Sequence, residues 1–160
     1  MPTLSERLAF ATNSLYPRVT HRAGTAVATT PPVGVLDGLA GHRYCVVVSY
    51  RRTGEPVATP LWFGIDGSRL FFRSLRGSAK LGRIRRNSRV LVAPCSVRGR
   101  PLGPPFEGRA RILPETASAA AERAIQANYG IIRRVYEWVI RDAEARYVEV
   151  TPVVHSRTGR

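Results

Sequence analysis

The chain is poor in lysine, methionine, cysteine and acidic residues, and each shortage argues against a class of protein. Its 160 residues hold 24 arginines but a single lysine, Lys80, and a single methionine, Met1. Cysteine occurs only at Cys45 and Cys95, in separate apolar stretches without CxxC spacing. That pattern argues against a disulfide scaffold and fits two reduced, buried thiols in a cytoplasmic protein. No apolar run reaches the roughly 20 residues of a membrane-spanning helix. The opening MPTLSERLAF carries Glu6 and has no basic region followed by an apolar stretch, so no export signal is expected. His21, His42 and His155 are too scattered for metal-ligand spacing, and no metal is expected. The motifs GxSxG and HExxH are missing, and Lys80 does not stand in a GK[ST] context. If the chain is an enzyme, a bound organic cofactor carries its reaction.

What is present describes an ordinary globular domain: 44% hydrophobic and 22% charged residues, on a chain long enough for one substantial core. With 25 basic against 11 acidic residues the formal charge is +14. Such a balance favours an anionic partner: a nucleic acid, a phosphorylated cofactor, a membrane surface or a polycarboxylate. A genome rich in arginine and alanine codons gives the same balance without any polyanion.

Apolar positions 4, 8, 11 and 15 have helical spacing, and the Gly- and Pro-rich residues 23–41 predict an extended connector. From residue 43 the pattern becomes that of strands. RYCVVVSY is a continuous β-branched run, expected of a strand buried on both faces. VATPLWFGI reads as a second strand, Asp66-Gly67 as a hairpin turn and RLFFRS as a third strand. SAKLGRIRRN predicts a short helix with Leu81 and Ile84 on one side. RVLVAPCS and PFEGRARIL follow as strands, ETASAAAERAIQANY as a helix, a stripe through Ile131, Val135, Trp138 and Val139 as more helix, and ARYVEVTP as a last strand. Hairpins without a βαβ repeat predict a small antiparallel barrel.

The lone lysine draws attention to RSLRGSAK. Between a strand and a helix, Ser78 is a good N-cap, and the first-turn N–H groups then point at the preceding loop. A hydroxyl, a glycine, free N–H groups and nearby cations together suit a phosphate. Lysine is a compact charge on a flexible stem, able to reach one phosphate oxygen. A surface helix with a solvated lysine is the plainer alternative.

In order and near the family spacing, VATPLWF, SAKLGRIRRNSRVLVAPC and RGRPLGPPFEGRAR resemble the split β-barrel flavin and deazaflavin reductases. These are the pyridoxamine-phosphate-oxidase-like proteins, and the similarity is to their branch of coenzyme F420-dependent oxidoreductases. It covers residues 43–113 most clearly. The resemblance implies a mainly β fold with helices (α+β), a six-stranded antiparallel split barrel of the FMN-binding kind. Residues 1–42 find no match in the family and, from their own spacing and composition, would form an N-terminal helix and Gly/Pro-rich connector; 43–155 would be the cofactor-binding domain and 156–160 a tail. It also implies a homodimer with two cofactor sites at the subunit interface. Ser78 and Lys80 would grip the cofactor phosphate, with Arg73, Ser74 and Arg76 on the approach. Thr59, Pro60, Leu61 and Trp62 would lie along the ring system. Flavin-binding members often carry arginine where Thr59 stands, which favours the deazaflavin branch. Arg83, Arg85 and Arg86 would line a basic groove for the polyglutamate tail of that coenzyme.

The activity implied is hydride transfer from reduced coenzyme F420 to an electron-poor small organic acceptor. Tyr129, Tyr136 and His155 are the available proton donors, and no residue identifies itself as catalytic. Two alternatives stand beside this reading. One keeps the fold and binds FMN or haem instead. The other is a basic nucleic-acid-binding module, for which no recognition helix or stacking motif is apparent.

Overall fold

The computed structural model describes residue 22, residues 25–129 and residues 144–154. The expected helix at 4–15, the apolar stripe from Ile131 to Val139, Tyr136, His155 and the tail lie outside the described residues. Among the described residues there are seven strands: β1 (Tyr44–Tyr50), β2 (Pro56–Leu61), β3 (Phe63–Asp66), β4 (Arg69–Leu75), β5 (Arg89–Cys95), β6 (Phe106–Ile112) and β7 (Ala145–Pro152). Two helices join them, α1 (Ala79–Arg86) between β4 and β5, and α2 (Ser118–Tyr129) between β6 and β7.

All strands belong to one antiparallel sheet in the order β2-β1-β5-β6-β7-β4-β3. Its two end strands, β2 and β3, are separated in sequence by Trp62 alone. The sheet must therefore curl until its ends meet, and β2 with β3 acts as one strand bent at Trp62. The result is the six-stranded split barrel that the sequence suggests, mainly β with few helices. The expected continuous strand VATPLWFGI is broken at Trp62, because its first half pairs with β1 and its second half with β4.

The β-branched run of β1 is buried on both sides, as its composition predicts. Cys45 and Val47 enter the barrel core with Leu70, Phe72, Val90 and Val150. Val46 and Val48 join an outer cluster with Leu91, Ala93 and Cys95. Each fully buried Val or Leu contributes about 1.5–3 kcal/mol. Residues 23–41, expected as an extended connector, instead contain a helical turn at 25–29 and a 3-10 turn at Leu36–Leu39. Apolar side chains within the segment decide this: Val27 completes the outer cluster, and Leu36 and Leu39 reach the barrel core.

Helix α2 lies directly against β3. A Cβ on Gly64 would stand 2.2 Å from the carbonyl of Ala124, so only glycine permits this approach. The helix end also serves β3 in place of a neighbouring strand. Phe63 donates its N–H to the Tyr129 hydroxyl at 2.9 Å, and its carbonyl accepts from the Asn128 amide at 3.1 Å. The Tyr129 hydroxyl in turn donates to the carbonyl of Arg43. Helix α1 packs on β6 and β1 with Leu81 and Ile84 buried, as expected.

Candidate functional site

The candidate site forms where β4 turns into α1. Gly77 has φ 76°, a left-handed conformation that glycine adopts without strain, and the Ser78 N–H bonds back to Leu75. Ser78 occupies the N-cap position, but its side chain does not cap the helix. Its hydroxyl lies 2.8 Å from that of buried Ser74 instead. This corrects the expected N-cap bond. Two hydroxyls stand together at the start of α1; the Leu81 N–H bonds back to the Ser78 carbonyl, and the positive end of the helix lies beside the hydroxyl pair.

Lys80 is not a solvated surface lysine. Only 9% exposed, it turns beneath α1 so that its ammonium stands 5.6 Å from the centroid of the Phe72 ring. Burial, followed by the charge of Arg83, pulls its pKa down to about 8. Arg83 is half-buried, and its Nε donates to the buried Ser49 hydroxyl at 2.8 Å. Its own pKa is lowered by burial, then by Arg51 and Arg86. For both Lys80 and Arg83, the charged neighbours that lower the pKa are thus other cations. Burial drives the Cys45 thiol well above its usual range, which keeps it neutral and unreactive.

The other residues singled out in the sequence divide between two faces. Strand alternation puts Thr59, opposite Val47, and Leu61, opposite Cys45, on the core face that Lys80 also reaches. Ser74 shares that face with Leu70 and Phe72. Pro60 points the other way, against Gly99 of the β5–β6 loop. Trp62 leaves the sheet at the bend and stacks on Tyr129, with centroids 5.0 Å apart and an interplanar angle of 23°. Arg73 lies on the face of β4 opposite Ser74, level with Tyr147. Arg76 is exposed and held by Glu144 at 2.7 Å, a bond that raises its pKa. Arg85 and Arg86 are exposed. The fold therefore brings Ser74, Ser78, Lys80, Thr59 and Leu61 to one side, and turns Pro60, Trp62, Arg73 and Arg76 elsewhere.

Sequence reasoning missed the roles of Ser49, Phe72 and Asn128. A signal existed for the burial of Lys80, because Lys80 and Ile84 are four apart and share one helix face. Tyr129 gave no sign that it anchors the bend at Trp62, since its partners lie 66 and 86 residues away.

Comparisons with known proteins agree with this architecture. The family described as pyridoxamine 5'-phosphate oxidase matches residues 35–153, well over half of the chain. No curated protein matches. Among solved structures, a candidate 5-nitroimidazole antibiotic resistance protein of Bacteroides thetaiotaomicron superposes with a TM-score of 0.58 at 16% identity, over 75% of this chain and 78% of its own. The heme storage protein of Vibrio cholerae gives a TM-score of 0.56 at 8% identity, over 72% and 84%. An FAD-binding protein of Mesorhizobium loti gives 0.54 at 17% identity, over 74% and 86%. Likeness at these identities is likeness of fold. Together with the family match along most of the chain, it leads to one assignment: the chain belongs to the pyridoxamine 5'-phosphate oxidase family.

Proposed function

We propose that the chain is an oxidoreductase that binds coenzyme F420 and serves hydride transfer from this deazaflavin to an electron-poor small organic acceptor. The observation that carries the reading is the group of cations at α1, where burial and then Arg83 lower the proton affinity of Lys80, and burial and then Arg51 and Arg86 lower that of Arg83, beside the Ser74–Ser78 hydroxyl pair. Groups of like charge held together at a cost to folding mark a site built for an opposite charge. The donor set fits a phosphodiester: two hydroxyls, the first-turn N–H groups of α1 and a compact ammonium. Thr59 and Leu61 offer an uncharged face for the ring system, with threonine where flavin-binding relatives often carry arginine. Exposed Arg85 and Arg86 supply charge for the anionic tail.

The protein's own contribution would be to bind, orient and exclude water. Val33 and Val35 are 74% and 65% exposed and Leu102 is 54% exposed, all on segments flanking the Gly34–Pro105 hydrogen bond. An apolar surface of that kind supports pairing of two copies, with a cofactor site at each end of the interface. The two free, buried cysteines suit a reducing cytoplasm.

Titrating the purified protein with oxidised coenzyme F420 and with FMN tests the reading. Coenzyme F420 should bind and Lys80→Ala should weaken it about 10- to 100-fold, the loss of one charge-assisted hydrogen bond. Equal binding by the variant refutes the role of Lys80. Binding of FMN alone refutes the choice of cofactor.

A further inference from the structure

A second concave surface lies on the outside of the barrel, away from α1. It is a cavity of about 440 Å³ between the β3–β4 turn, β6, β7 and the start of α2. Strand register makes its wall. Phe71, Glu149 and Arg111 are direct partners across β4, β7 and β6, and Arg69 lies two residues before Phe71 on the same face. Glu149 is only 8% exposed. It accepts from Arg69 Nη1 at 3.0 Å and from Arg111 Nη2 at 3.3 Å. The floor is apolar: Phe71 and Leu113 are buried, and the small side chains Ala117 and Ala120 leave the space open.

We propose that this cavity binds a small monocarboxylate with an apolar or aromatic body. Each guanidinium engages Glu149 through one terminal nitrogen, while its planar fork carries five N–H donors in fixed directions. A buried glutamate that aims two such forks along one wall pre-organises them for a second carboxylate. The side chains of both arginines are more than half exposed, so a ligand reaches their donors without breaking the existing pairs. Asp66 on the rim and Glu149 balance the two positive charges, so recognition rests on directed hydrogen bonds and not on net charge. That balance disfavours dianions. The volume falls within the range of roughly 300–1,000 Å³ typical of small-molecule sites.

The test is an NMR titration of the full chain, following backbone amides, with phenylacetate and with phenethylamine of the same body and opposite charge. Phenylacetate should give saturable shifts at Gly67, Ser68 and Leu113, and phenethylamine should give none. Arg111→Gln should weaken phenylacetate about tenfold or more. It leaves Glu149 held by Arg69, so the fold should persist, and a thermal melt checks this. If that variant unfolds, Arg69→Gln replaces it, and the wild-type pair of ligands decides in any case. Shifts that never saturate, equal binding of the amine, or undiminished binding by the folded variant each overturn the proposal.

Discussion

Two groups of cations on one small barrel live under opposite rules. On the outer face of β6, β7 and β4, Arg69 and Arg111 share Glu149, and nearby Arg89 is paired with Glu107 at 3.3 Å. Beneath α1, the neighbours that disturb Lys80 and Arg83 most, after burial, are other cations. The first arrangement is neutralised from within the chain, whereas the second, in the function proposed above, takes its counter-charge from a bound cofactor. In a protein with 25 basic and 11 acidic residues, where the acids are placed tells more than the total charge. Binding at α1 should weaken steeply with salt, whereas binding at the Glu149 wall should depend on salt only slightly.

The most forceful way to break this contrast is Lys80→Met, which keeps the shape and removes the buried charge. The folded pKa of Lys80 is lowered from 10.5 to about 8, so folding carries the full burial penalty below pH 8, where both states hold the proton. Between pH 8 and 10.5 the unfolded chain binds more protons, and the wild-type contribution rises with pH. Lys80→Met should therefore stabilise the cofactor-free protein by about 3 kcal/mol at pH 7, with the gain vanishing near pH 10.5. Urea unfolding of both proteins across that range measures it, and a gain independent of pH would contradict the assigned cause.

Glu149→Gln should act with the opposite sign, lowering stability by about 1–2 kcal/mol, a modest figure because both arginine partners are more than half exposed to screening solvent. Chemical denaturation in low and high salt would show the loss shrinking as salt rises. Tyr129→Phe supplies a neutral reference. It keeps the stack on Trp62 and removes the hydroxyl that joins Phe63 to Arg43, for a loss of about 1 kcal/mol that salt leaves unchanged. The subtlest change is Arg83→Gln, which should move the Lys80 pKa upward, toward its ordinary value. NMR titration of the Lys80 side chain would follow it, and an unmoved pKa would show that burial alone sets the value.

Much of the barrel was legible because strand composition and turn chemistry are local. ARYVEVTP is the strand Ala145–Pro152, and the turn at Asp66-Gly67 lies where its residues predict. The break at Trp62 was not legible, since it arises from closure of the whole sheet and not from any helix- or turn-forming residue. The site was half legible. The segment from Ser74 to Lys80 drew attention by composition, but the Ser74–Ser78 contact and the burial of Lys80 depend on α1 lying over Phe72. The Glu149 wall gave no signal at all, because Phe71, Arg111 and Glu149 come from three separate stretches that only the strand register aligns.

The bend at Trp62 leaves one side of β2 and one side of β3 without a strand partner, and the protein deals with the two differently. On β3 the side chains of α2 satisfy the backbone of Phe63. On β2 two of the six residues, Pro56 and Pro60, have no N–H to give. An incoming strand would find an interrupted ladder there, so the seam of the barrel is protected against fibril-like growth. Assembly of this chain across β2 would then depend more on side chains and surface shape than on the indiscriminate chemistry of the peptide group.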